Sequence, residues 1–135
     1  MLILYAEDDV EDFEFFCYIL NYLNLPAKCL HTKNGVETLD FLENASVYPD
    51  LILLDINMPY MDGRACLKAI KTDPRFKALP VVMYTTSTSS KDKDLCRQLG
   101  ALEYLEKPHS IDGASKQLMD FFQRFNNAAL RQTSC

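Results

Sequence analysis

Residues 50–63 read DLILLDINMPYMDG. Leu51, Ile52, Leu53 and Leu54 form an apolar run with no polar alternation, the pattern of a strand buried on both faces. The run stops at Asp55, and a loop containing Pro59 and Gly63 follows. Cys66, Leu67 and Ile70 then mark a short helix, which Asp73-Pro74 breaks. One strand–loop–helix unit is spelled out here, with a carboxylate at the carboxyl end of its strand.

The same unit recurs in both directions. Upstream, residues 2–6 are a second short apolar run that halts at Glu7-Asp8-Asp9. Phe13, Phe16, Cys17, Leu20 and Leu23 follow at helical spacing, and Asn24-Leu25-Pro26 ends that helix. Residues 27–30 give a weaker strand, Asn34-Gly35 a turn, and Val36, Leu39 and Leu42 a short helical stripe. Downstream, residues 80–84 form a strand ending at Thr85-Thr86, and Leu95, Cys96 and Leu99 a helix closed by Gly100. Residues 102–105 form the last strand, ending at Glu106-Lys107-Pro108. Ser110 is placed to cap a final helix carrying Ile111, Ala114, Leu118, Phe121, Phe122 and Phe125. Five strand–helix units in strict alternation predict an α/β fold: a doubly wound, five-stranded parallel sheet with helices on both faces. Residues 1–126 form one domain, and residues 127–135 a tail that frays or extends the last helix.

Bulk properties narrow the function. A chain of 135 residues suffices for one domain and one substantial core. Its net charge of −5, with no Lys/Arg block, argues against direct nucleic-acid binding. No apolar stretch approaches the roughly 20 residues that cross a bilayer, and MLILYAEDD lacks the marks of a secretory signal, so no membrane association is expected. Five cysteines, an odd number without a C-x-x-C pair, suit a reduced, cytoplasmic setting. Cys135 is expected to be exposed and reactive.

Position makes the polar residues informative. Glu7-Asp8, Asp55, Thr85 and Lys107 each follow a strand, and ligands of open parallel sheets bind outside the carboxyl ends of the strands. Three carboxylates a few ångströms apart repel, by about 4 kcal/mol per pair at roughly 4 Å and an effective dielectric of about 20. A magnesium ion relieves that repulsion while keeping waters and accepting phosphate oxygens. A carboxylate can attack phosphorus to give an acyl phosphate, so Asp55 is the candidate nucleophile. The cation, the Lys107 ammonium and the Thr85 hydroxyl would each hold one phosphoryl oxygen.

With these residues assembled, the sequence resembles the response-regulator receiver family over about residues 1–125. The resemblance rests on the acidic run Glu7-Asp8-Asp9, on residues 50–63, on PVVMYTT at residues 80–86, and on EYLEKP at residues 103–108. It implies a flavodoxin-like fold with strand order 2-1-3-4-5. Asp55 would accept a phosphoryl group from a histidine kinase, a phosphotransfer protein or a small acyl or amido phosphate. Asp8 and Asp55 would bind magnesium (or manganese) directly, Glu7 through water, and Asn57 through its backbone carbonyl. Lys107, Thr85 and Thr86 would contact the phosphate. Thr85 and Tyr104 would switch the surface of the fourth helix, fifth strand and fifth helix for a downstream protein, and the Lys107–Pro108 bond would be cis. A homodimer through the fourth and fifth helices is a further expectation. The EDD start, the Thr85-Thr86-Ser87 stretch and the length look like stand-alone receivers, some of which serve bacterial phytochrome kinases. Glu7 stands where Asp is frequent, and His109 where an apolar residue is common.

Plainer readings compete at several positions. Asp9, Glu11 and Asp12 read as acids favoured by a helix amino terminus, with Asp9 as its cap. Tyr104 reads equally well as a half-buried aromatic on an edge strand. His31 and His109 lack metal-ligand spacing and read as structural. A magnesium-dependent phosphatase with an Asp nucleophile would want a second acid two residues on; Asn57 cannot supply a proton. A flavodoxin-type electron carrier would not place Glu7-Asp8 against a flavin phosphate. A docking module that no longer takes phosphate remains a third reading.

Overall fold

A computed structural model describes the backbone of residues 1–133 and the side chains of residues 1–127. Five strands, β1 (Leu2–Ala6), β2 (Lys28–Thr32), β3 (Leu51–Leu54), β4 (Val81–Thr85) and β5 (Glu103–Glu106), form one parallel sheet in the order β2-β1-β3-β4-β5. The helices are α1 (Val10–Tyr22), α2 (Gly35–Asn44), α3 (Gly63–Thr72), α4 (Ser90–Leu99) and α5 (Ile111–Thr133). The predicted order 2-1-3-4-5 is therefore the observed one. Residues 127–133 continue the last helix, whereas Cys135 lies outside the described residues.

Strand periodicity divides the core between two layers. Ile3, Tyr5, Leu51, Leu53, Val82 and Tyr84 point to one face, where Phe16, Ile19 and Leu20 of α1 and Leu118, Phe121 and Phe122 of α5 cover them. The alternate residues Leu4, Ala6, Ile52, Leu54, Val81 and Met83 meet Leu42, Leu67, Ile70 and Cys96 from α2, α3 and α4. Burial on both faces explains why the central strands are apolar without alternation.

Several helix details depart from the sequence reading. α2 was expected to bury Val36, but its buried face is Gly35, Thr38 and Leu42, and Val36 is exposed. Asn34 causes the shift: its side chain caps the helix by accepting from the Glu37 N–H, which sets the rotation of the first turn. In α4 only Cys96 is buried, and Leu95 faces outward. Asp9 does cap α1, accepting from the Glu11 and Asp12 N–H groups, and Ser110 accepts from the Gly113 N–H at the start of α5.

The reversal of strand order falls between β1 and β3, since β1 is followed in sequence by β2 on one side and β3 lies on the other. The crossovers from β1 and β3 leave in opposite directions and open a crevice above their carboxyl ends. Glu7, Asp8 and Asp55 sit at those ends.

Candidate functional site

Asp55 is held from three directions. Its backbone N–H donates to the Ala6 carbonyl at 3.1 Å, extending the β1–β3 pairing by one residue. Its Oδ1 accepts from the Ile56 N–H at 2.7 Å, which turns the carboxylate across the chain and leaves Oδ2 for other partners. Beneath it the loop folds back, with the Gly63 N–H donating to the Ile56 carbonyl at 2.8 Å. A Cβ on Gly63 would lie 2.0 Å from the Asp55 carbonyl oxygen, so only glycine allows this close return. The Asp62-Gly63 pair thus does two jobs. Asp62 caps α3, and Gly63 lets that helix start against the back of Asp55.

Lys107 reaches the cluster from the end of β5. Its N–H donates to the Thr85 carbonyl at 2.8 Å, which aligns the loop after β5 with the end of β4. The ammonium donates to Asp55 Oδ2 at 3.1 Å, to Asp12 Oδ2 at 2.9 Å, and to Glu7 Oε1. The Lys107 side chain is 9% exposed and that of Glu7 only 1%, so this charge group is largely out of water. One carboxylate oxygen from each of Glu7, Asp8 and Asp55 lies within 4.8 Å of the others. Asp8 is the exposed member, on the solvent side.

Glu7 is the most constrained of the three. Oε1 also accepts from the Tyr5 hydroxyl at 3.3 Å, and Oε2 from the Asp9 N–H at 3.2 Å. Its backbone carbonyl contacts His31 Nε2 at 2.6 Å; a carbonyl only accepts, so the His31 ring carries a proton on Nε2. Burial pushes the Glu7 carboxyl up from its ordinary 4.5 to about 7, even though Lys107 pulls it down. For Lys107, burial opposes the charge, but the hydrogen bond to Glu7 and the charges of Asp55 and Glu7 prevail and raise it.

The remaining expected residues are placed as follows. Thr85 is fully buried at the end of β4, with its hydroxyl accepting from the Ser87 N–H at 3.3 Å rather than meeting the carboxylates. Thr86 is exposed and lines a small cavity of about 90 Å³ beside Lys107, with Tyr84 and His109. The Asn57 side chain is exposed. Tyr104 is half-buried on β5, and its hydroxyl donates to the Ser87 carbonyl at 2.9 Å. Ser87 in turn donates its hydroxyl to Asp92 Oδ2 at 2.9 Å, and Arg64 donates to Asp92 Oδ1 at 3.0 Å. Pro108 requires a correction: the described residues contain no cis peptide bond, so Lys107–Pro108 is trans. A prolyl amide favours trans by less than about 1 kcal/mol, so residue type alone does not set the isomer.

Sequence reasoning assigned Asp12 to the helix amino terminus and missed its contact with Lys107. Its spacing gives no signal, since Asp8 and the Asp9 cap precede the helix and Asp12 shares its first turn with Glu11. His31 was likewise read as structural without its contact to Glu7.

The donor set suits a hard cation: carboxylate oxygens converge, one face is open to solvent, and the ammonium that shares them lies on the buried side. A carboxylate at the strand end thus has an ammonium on its Oδ2 and two further acids beside it. Residues 3–118 match the family model for the response regulator receiver domain. The chain belongs to the response-regulator receiver family.

This receiver is 32% identical over 127 residues to response regulator Rcp1 of Synechocystis sp., covering 90% of this chain and 82% of Rcp1. Among solved structures it is similar to the Mn(2+)-bound form of Rcp1, with 31% identity and a TM-score of 0.78 over 86% of this chain and 87% of that one. It is also similar to the phosphorylated cyanobacterial phytochrome response regulator RcpA, with 29% identity and a TM-score of 0.81 over 89% of each chain. Other relatives are much longer. The receiver spans 27% of a Methanosarcina mazei protein-glutamate methylesterase/protein-glutamine glutaminase and 10% of the sensor histidine kinase CheAY of Helicobacter pylori. It is thus a receiver domain of two-component signalling. No helix among the described residues is long and apolar enough to cross a membrane.

Proposed function

We propose that the receiver accepts a phosphoryl group on Asp55 and passes the change to a partner protein through the surface of α4, β5 and α5. The observation that carries this reading is the Lys107 ammonium on Asp55 Oδ2, with Glu7 and Asp8 beside it. Asp8, Asp55 and the Asn57 carbonyl, with Glu7 through water, would hold a magnesium or manganese ion, which supplies positive charge to the transferring phosphoryl oxygens. The Ile56 N–H holds Oδ1 and leaves Oδ2, beside the Lys107 ammonium, as the attacking oxygen. That oxygen forms the new bond to phosphorus as the donor's bond to phosphorus breaks, and the donor leaves with the electron pair. Lys107 neutralises the oxygens that gain charge, and Glu7 and Asp12 keep the ammonium from swinging into solvent.

The switch follows from what Ser87 joins. Its N–H holds the Thr85 hydroxyl and its carbonyl holds the Tyr104 hydroxyl. Drawing the Thr85 hydroxyl towards a phosphoryl group breaks the first bond and loosens the second. Asp92 and Arg64 tie the same serine to α4 and α3, so the start of α4 moves with it. A cleft of about 310 Å³ lined by Lys93, Arg97, Leu102, Glu103 and Tyr104 lies on this face and suits a partner's side chains. The phosphoryl source is a sensor histidine kinase or a phosphotransfer protein, and the likeness to RcpA favours a phytochrome-type kinase.

Incubation with acetyl phosphate or phosphoramidate tests this directly. Intact mass should rise by one phosphoryl group with magnesium, and not with a chelator or in Asp55→Asn. An unchanged mass under all conditions would leave a docking module as the better reading.

A further inference from the structure

Two thiols face each other across the packing between α1 and β2. α1 runs antiparallel to the strands it covers, so four residues forward along it, about 6 Å, match two residues back along a strand, about 6.6 Å. The Phe13 ring stacks on the His31 ring with centroids 4.1 Å apart. Cys17 lies one turn on from Phe13, and Cys29 lies two residues back from His31 on the same face of β2. The register set by the ring pair therefore brings Cys17 against Cys29, close enough for each thiol to bias the other's loss of a proton. Both cysteines are half-buried, so small reagents reach them; Cys66 and Cys96 are fully buried on the other face of the sheet.

We propose that Cys17 and Cys29 form a reversible disulfide on exposure to a low-molecular-weight disulfide oxidant. The Cys17 thiol loses its proton, and the thiolate attacks one sulfur of the oxidant. The oxidant's S–S bond breaks, and its other half leaves as a thiolate that takes up a proton. Cys29, deprotonated in turn, attacks the Cys17 sulfur and expels the second half. The protein gives up two hydrogens with their electrons, and the oxidant is reduced to two thiols. Burial pushes both thiols up, Cys29 to about 12, while the nearby Cys29 partly offsets the rise at Cys17. Cys17 is thus the attacking group and Cys29 the resolving one, and the reaction speeds up with rising pH.

The bond would join the helix capped by Asp9 to the edge strand whose His31 holds the Glu7 carbonyl. Oxidation would therefore brace one wall of the carboxylate site.

The test uses the full chain under native conditions with oxidised glutathione, followed by alkylation of remaining thiols and tryptic mass mapping. Cleavage after Lys28 separates the two cysteines. The expected product is a Cys17–Cys29 linked peptide pair, lighter by two hydrogens than the free peptides and lost on reduction. Cys29→Ser should instead accumulate a glutathione adduct on Cys17, a readout that needs no bridge. The proposal is overturned if both thiols stay alkylatable while free cysteine is oxidised in parallel. It is equally overturned if the pair links only in denaturant or if another pair dominates.

Discussion

Replacing Lys107 with Met removes the positive charge around which the site's acids are arranged, and the structure sets the size of the effect. The ammonium touches Glu7, Asp12 and Asp55, and the first and last of these are largely buried. Removing one partner of a buried ion pair costs about 3–5 kcal/mol when the other stays charged. Glu7 has a way out, because it already titrates at about 7 and loses its lowering partner in the variant. Below that range Glu7 is protonated in both proteins, and the cost is the one left by Asp55, about 3 kcal/mol. Above it, wild-type Glu7 is ionised and variant Glu7 still holds a proton, so the cost grows by up to about 1.4 kcal/mol per pH unit, adding about 1.4 kcal/mol by about pH 8. Urea unfolding in chelator, at about pH 5.5 and about pH 8, measures both limits. Excess magnesium should restore much of the loss, since a ligand at about 100 times its Kd adds about 2.7 kcal/mol. A cost equal at both pH values and indifferent to magnesium would refute this picture of the site.

Further outcomes follow from the same geometry. In the metal-free wild type, the folded Glu7 carboxyl lies above its ordinary value, so its contribution is complete below about pH 4.5 and lost as pH rises through about 7. Lys107, raised above its ordinary 10.5, adds no slope in that window, and thermal unfolding in chelator should show Tm falling from about pH 5 to about pH 8. Gly63→Ala places a methyl against the Asp55 carbonyl and should cost about 3 kcal/mol or more, with phosphoryl uptake reduced in whatever folds. Ser87→Ala removes the donor to Asp92 and should cost about 1 kcal/mol while speeding amide exchange at the start of α4. Unchanged exchange there would remove the Ser87–Asp92 tie from the switch.

The fold was readable because its strands are short, apolar and abruptly ended. Leu51 to Leu54 and Leu2 to Ala6 stop at acids, and the five-fold alternation leaves little topological choice. The approach of Lys107 to Asp55 was readable for the same reason, since position at a strand end implies position at the rim. What escaped depends on details that residue type does not encode. Asp12 reads like any helix-start acid, and only the reach of the Lys107 side chain to the first turn of α1 makes it a partner. Val36 looked like core until the Asn34 cap set the rotation of α2. Both isomers of Lys107–Pro108 are open to the sequence, and the chain around it adopts trans.

The central claim is that Asp55 carries the phosphoryl group. An aspartyl phosphate is an acyl phosphate, which borohydride reduces to homoserine, leaving a permanent mark on the residue that held it. Treatment with phosphoramidate and magnesium, then borohydride, then peptide mapping should place homoserine at position 55. Homoserine at position 8 or 12 instead, or unmodified Asp55 in protein that has gained phosphoryl mass, would contradict the account.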